Sequence, residues 1–340
     1  MTRRLTAVAL GLLMVTAAGC QKVKSDDGGA GSALDYPSDT TLLVGFVRKG
    51  PAPSAARLKS AIEEVVHEKT DREMAELIDA CMAPVGGHLD RTTLAVRGPL
   101  KDNNVVVFAV GPGLRQALEG CFKTLQEKRG KSFTPRPDGD YTLYELGGDP
   151  VVAHWTVNDE LVLAARKDQV ASAMAAKGGL KGTPLAKVAG EVDRSARVWI
   201  AAAGPGLPED AELEWASGTI QDLTGTVHAL FKSPEAASKA GALAQMAIPK
   251  GVKIAGKELE IGISVQDLPT LIPDPDKRGP PLSKDSANVL LDAGPLVFGF
   301  FLFAGRSEEV EAPPPVPAES AAPAPEAAPA SPPPSPPTPP

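Results

Sequence analysis

From Thr41 to Val265 the apolar residues switch repeatedly between two periods, and no other feature of the sequence restricts the fold so strongly. Runs such as Thr41-Leu42-Leu43-Val44-Gly45-Phe46-Val47, Thr93–Arg97, Val105–Val110, Tyr141–Leu146, Val151–Val157 and Leu161–Ala165 are short and apolar, most are rich in β-branched residues, and turn residues bound them. That is the signature of strands. Elsewhere the spacing is helical: Leu114, Ala117, Leu118, Cys121, Phe122 and Leu125 fall at i, i+3, i+4, i+7, i+8 and i+11, one buried face. Successive strands are joined across turns too short for a parallel crossover, around Lys101–Asn104 and at Asn158-Asp159-Glu160. Antiparallel pairing follows, and each one-sided helix needs a sheet face to cover its stripe. The predicted class is α+β, made of two-layer units with helices on antiparallel sheet.

The first unit spans residues 36–180. Besides these elements it holds a helix with Leu58, Ile62, Val65 and Val66 on one face. Thr70-Asp71-Arg72-Glu73 reads as a capping box opening a second helix, whose stripe is Met74, Leu77, Ile78 and Cys81. A short helix over Lys167–Lys177 stops at Gly178-Gly179. The second unit spans residues 190–270, with strands at Ala196–Ala203 and within Gly218–Phe231. Ser233-Pro234-Glu235 starts a helix with a cap residue, a first-turn proline and an acid at the positive end of the dipole. That helix is expected to bury Ala236, Ala240, Leu243, Ala244 and Ala247, and Leu259, Ile261, Ile263 and Val265 then alternate as a strand. Both units carry a strand leading into Gly-Pro-Gly-Leu, at 111–114 and 204–207, which leaves open that one unit is a copy of the other.

Residues 271–306 form a Pro-rich linker and an apolar segment. From 287 to 304 the segment is rich in Leu, Val and Phe, but Asp292, Gly294, Pro295 and Gly299 interrupt it. A membrane span runs ~20 residues without a central charge, so packing on the body is expected, with a second membrane contact as the alternative. Residues 307–340 are mostly Pro, Ala, Ser and Glu and cannot bury enough apolar surface to fold. Extended at ~3.1 Å per residue, the last thirty reach on the order of 90 Å.

At the other end, Arg3 and Arg4 precede an apolar run from Leu5 to Val15, and small residues Ala17-Ala18-Gly19 lead into Cys20. This order describes a secretory signal, assigned to residues 1–19. The Ala-Gly-Cys ending resembles the lipobox of bacterial lipoproteins, although Ala17 stands where that family usually carries Leu. The resemblance covers residues 1–20 only. It implies export, cleavage before Cys20, acylation of Cys20 and insertion of its acyl chains into a lipid bilayer. Gln21, in place of the Asp that retains such proteins at the inner membrane, implies the outer membrane, facing the periplasm. Residues 20–35 then form a short glycine-containing tether.

Chemistry in the body is sparse. The net charge of −7 and the absence of a basic stripe with interleaved aromatics argue against nucleic-acid binding. With Cys20 acylated, Cys81 and Cys121 remain, and outside the cytoplasm they are expected to form a disulfide. His67, His88, His154 and His228 are scattered singly, with no second ligand at metal spacing, and no Gly-x-Ser-x-Gly elbow occurs. The Gly-Pro-Gly turns lose a backbone donor to proline and lack a following Gly-Lys-Ser/Thr, so they read as tight turns rather than phosphate loops. The acidic patch Glu209-Asp210-Glu212-Glu214 lacks the spacing of a calcium loop. No catalytic residue, metal or cofactor is assigned. The expected role is non-enzymatic binding or scaffolding of an envelope protein or cell-wall partner. The alternative is an envelope hydrolase whose carboxylates are assembled by the fold.

Overall fold

The computed structural model describes residues 36–304, apart from 67–68, 103, 129, 147–149, 157–159, 177–178, 249–250 and 272–278. The signal peptide, Cys20 with its tether, the tail, His67, the hairpin turn at 158–159 and the helix stop at Gly178 lie outside the described residues.

The strands are β1 (Thr40–Val47), β2 (Arg91–Arg97), β3 (Asn104–Val110), β4 (Arg136–Asp138), β5 (Tyr141–Tyr144), β6 (Val151–Trp155), β7 (Leu161–Ala164), β8 (Val198–Ala203), β9 (Leu213–Ile220), β10 (Thr224–Phe231), β11 (Val252–Ala255) and β12 (Glu258–Ser264). All belong to one twelve-stranded sheet in the order β11-β12-β10-β9-β8-β1-β2-β3-β7-β6-β5-β4. Every pairing is antiparallel. The class is thus the α+β, antiparallel one expected, and strands from both sequence units are continuous through the central β1–β8 pair. Where one strand was expected within 218–231, the chain makes a hairpin, β9 and β10.

The helices are α1 (Ala55–Val66), α2 (Arg72–Leu77), α3 (Ala83–Gly86), α4 (Leu114–Lys128), α5 (Lys167–Met174), α6 (Pro184–Glu191), α7 (Pro234–Ala247) and α8 (Lys284–Ala304), with a π-helical turn at Ile78–Met82. Helix-on-sheet packing is used on both faces. In β1, Leu42, Val44 and Phe46 face one core, together with Cys81, Leu114, Cys121, Ala237 and Leu291 of the π turn, α4, α7 and α8. Leu43 faces the other way, where Leu185, Val188 and Ala189 of α6 cover Ala95, Trp199 and Ala201. Beside them Val170 and Ala173 of α5 cover Val106, Val152, Val162 and Ala164. Central strands buried on both sides explain why β1 and β8 read as continuous apolar runs rather than alternating ones.

Two halves of the sheet share one path. In the first, β1-β2-β3 is a meander, α4 follows, and the chain returns so that β7 pairs with β3. In the second, β8-β9-β10 is the meander, α7 follows, and β12 pairs with β10. From the central pair outward the order therefore reads alike on both sides, an internal repeat. The two Gly-Pro-Gly-Leu turns do not mark it: one follows β3, the other follows β8, the counterpart of β1. Gly111 is needed for close approach to the His88 carbonyl, and Gly206 for approach to Thr41 and the Gly98 carbonyl.

Local signals held with three corrections. The helix expected over Lys167–Lys177 ends earlier, at Met174, with Ala175 as its C-cap. Asp71, not Thr70, caps α2, accepting from the Met74 N–H at 2.7 Å. Thr70 instead donates through its N–H and hydroxyl to Glu63, both at 2.8 Å. On α7, capped by Ser233 as expected, Leu243 is 58% exposed, because the small residues Ala236, Ala237, Ala240 and Gly241 form the face against the sheet. The sheet ends in short strands, β11 with exposed Lys253 and β4 with Pro137, which discourages edge-to-edge pairing.

The apolar segment 287–304 is the main part of α8. Ala287, Val289, Leu291 and Ala293 are buried, and Val289 and Ala293 pack with Leu58, Ala61, Ile78 and Met82. Among the described residues no helix is long and apolar enough to cross a membrane.

Candidate binding surface

Cys81 and Cys121 are disulfide-bonded, with Cα atoms 4.6 Å apart. Cys81 sits on the π turn and Cys121 on the buried stripe of α4, so the bond staples two helical elements that cover the same sheet face. Both were legible as members of apolar stripes.

A buried ion pair was not. Arg197, one residue before β8, directs Nη2 to Asp292 Oδ1 on α8 at 2.8 Å, and their side chains are 8% and 7% exposed. Asp292 also accepts from the backbone N–H groups of Lys49 and Gly50, at 3.3 and 3.2 Å, and Arg197 Nη1 donates to Asn288. The residue that breaks the apolar run is therefore a clasp joining α8, the end of β1 and the start of β8. A single acid within an apolar helix requires such a partner, and that is the signal that could have pointed to it.

Other polar clusters are structural. Tyr144, fully buried, donates to Glu119 at 2.9 Å and accepts from Trp155 Nε1 at 2.8 Å, while Arg115 holds Glu119 at 3.1 Å. Burial pushes the Tyr144 phenol above its ordinary range, so it stays neutral and out of contact with solvent. His88 and His154 bond single backbone carbonyls, of Pro112 at 2.6 Å and of Asp140 at 3.0 Å. In the acidic patch, Glu212 adopts a left-handed φ of 48° and accepts from Ser233 at 2.8 Å. Among the described residues, no group of three His, Cys, Asp or Glu side chains is placed to hold a metal ion.

One region of the sheet differs from the rest. In the first half α5 covers the second face of β3, β6 and β7. In the repeat the chain leaving β12 instead enters a 3-10 stretch (Val265–Leu271), and α8 lies over the first face. The second face of β9, β10, β12 and β11 changes chemistry accordingly. One cross-strand row runs Ser217, His228, Glu260, Lys253, and the row beside it Trp215, Leu230, Glu258. Thr219 and Thr226 form the next. Trp215 packs against the α6 cluster, but most of the other side chains are half-buried or exposed, so beyond the indole the face is open, hydroxyl-bearing and charged.

Lys253 Nζ lies 2.7 Å from Glu260 Oε1, and His228 Nδ1 lies 3.9 Å from Oε2. The Lys253 ammonium holds the Glu260 carboxyl below its ordinary range, with a smaller contribution from His228. The row is not wired as a nucleophile relay. Ser217 is 5% exposed, and the hydrogen bond of Glu260 goes to Lys253 rather than to the imidazole. Glu258 and Glu260 stand side by side on one strand instead of opposing each other across a cleft, as hydrolytic carboxylates do.

No protein-family model matches the chain, and no curated protein matches it. Among solved structures the chain is similar to crystal form I of TP0453, at 10% sequence identity and a TM-score of 0.40, over 73% of this chain and 97% of that one.

Proposed function

We propose that this protein is a membrane-anchored lipoprotein of the bacterial cell envelope, held by acylated Cys20 at the outer membrane and facing the periplasm, whose body binds or scaffolds a partner without catalysing a reaction. The observation that carries the binding role is the open second face of β9–β12. It offers hydrogen-bonding groups and paired charges on rigid strands, where the first half of the repeat uses apolar residues and a helix. Such a surface suits a polar envelope protein or cell-wall partner better than an apolar one. The Cys81–Cys121 bond supports a compartment outside the cytoplasm, where thiols are kept oxidised.

Photo-crosslinking in intact cells tests the binding role. A photoreactive amino acid at Thr226, on the open face, is expected to give a discrete adduct. The same group at Lys239, exposed on α7 over the opposite face, is expected to give none. No adduct from position 226, or the same adduct from both positions, would remove this face as the binding surface.

A further inference from the structure

We propose that the last turns of α8, residues 295–304, form a second membrane contact, lying in the lipid interface beside the anchored body. This rests on the lipoprotein reading only for bringing the body to a bilayer.

The two halves of α8 have different chemistry. The first is fixed to the protein: Asp285 pairs with Arg57, Asp292 with Arg197, and Ala287, Val289, Leu291 and Ala293 are buried. Helix α1 runs antiparallel to it. Glu64 accepts from Ser283, Arg57 reaches Asp285, and Gly50, ahead of α1, reaches Asp292. The start of α1 therefore falls beside the middle of α8, and α8 continues helically to Ala304.

The sequence of that continuation, Pro295-Leu296-Val297-Phe298-Gly299-Phe300-Phe301-Leu302-Phe303-Ala304, has no charged or hydrogen-bonding side chain on any side. A surface helix is normally apolar on one stripe only, and packing against one neighbour cannot remove an all-round apolar surface from water. Phe298, Phe300, Phe301 and Phe303 are four of nine phenylalanines in a chain with only 4% aromatic residues. That concentration points to an apolar environment beyond the body.

Length and charge decide how the segment meets lipid. At ~1.5 Å per residue these turns cover about 15 Å, half of the ~30 Å hydrocarbon layer, so they cannot span it. Arg306, Glu308 and Glu309 follow directly, and ending in mid-bilayer would bury those charges. The segment therefore lies along the interface, with its outer side ~5–10 Å deep among the acyl chains. Residues 21–35, at up to ~3.5 Å each, give the acylated end a reach of at most roughly 50 Å.

The test uses the full chain purified from membranes and reconstituted into phosphatidylethanolamine–phosphatidylglycerol vesicles carrying a phospholipid with a photoactivatable acyl chain. Peptide mass spectrometry then locates the lipid adducts. Adducts on residues 296–303 are expected at ten times or more the level found on α4 (Leu114–Lys128). The variant Phe300→Glu/Phe303→Glu should bring them to the α4 level with the disulfide intact. Adducts on 296–303 no higher than on α4 would overturn the proposal, whether the segment is then found crosslinked to a second copy or covered by its own body. The acyl mass on Cys20 is read in the same digest. Acylation without adducts on 296–303 removes this contact alone, and adducts without acylation remove the anchor alone.

Discussion

Replacing Asp292 with Ala is expected to destabilise the protein by about 3–5 kcal/mol, the largest single-residue effect foreseen in the body. The change removes the acceptor of Arg197 Nη2 and of two backbone N–H groups at once, and leaves a guanidinium buried without its counter-charge. Arg197 Nε already has no hydrogen-bond partner among the described residues, so little remains to compensate. The double variant Arg197→Met/Asp292→Leu separates charge from packing. Replacing both ions with apolar groups of similar volume should recover most of the loss, because desolvation of the pair offsets much of its attraction. Urea titration of the three proteins reads this out. A loss below about 1 kcal/mol for Asp292→Ala would mean that the pair is effectively solvated and does not hold α8 to the sheet.

Removing the Cys81–Cys121 bond is the second large expected effect. The two cysteines are 40 residues apart, and closing a loop of that size restricts the unfolded chain by ~4 kcal/mol, an upper figure because native strain subtracts. Cys81→Ala/Cys121→Ala should therefore shift the denaturation midpoint down, and added reductant should shift the wild-type midpoint in the same direction. A thiol count in denaturant without reductant should find neither Cys81 nor Cys121 free. Two free thiols, or a midpoint indifferent to reductant, would show that the bond is not formed in the protein as made.

Most strands and helices with one buried face were legible, since a single period then governs the pattern. Alternation along Leu259, Ile261 and Ile263 and the stripe of α4 are such cases. Central strands were legible as apolar runs, but which helix covered which face was not, because a residue buried on either side of a sheet looks the same in sequence. Helix α6 passed unread although Thr183 caps it and Pro184 occupies its first turn. The repeat was left open in the sequence because β4 to β7 occupy a position that β11 and β12 fill in the second half, and because the shared tetrapeptide sits at non-equivalent turns. Gly45 shows another limit. It faces Trp199 across the β1–β8 pair, and any Cβ there would collide with the indole, a constraint visible only once the two distant strands are neighbours.

The candidate surface was the least legible part. Thr226, His228 and Glu260 are ordinary strand residues in sequence. Only the register of β9, β10, β12 and β11 brings them together, and only the path of the chain after β12 leaves them uncovered. Cys20, by contrast, is read from sequence alone. The mass of the N-terminal peptide from chain extracted out of membranes addresses the anchor directly. It should begin at Cys20 and carry a diacylglyceryl group, with that mass lost in Cys20→Ser. An unmodified Cys20, or a mature terminus at another residue, would contradict a lipid-anchored envelope protein.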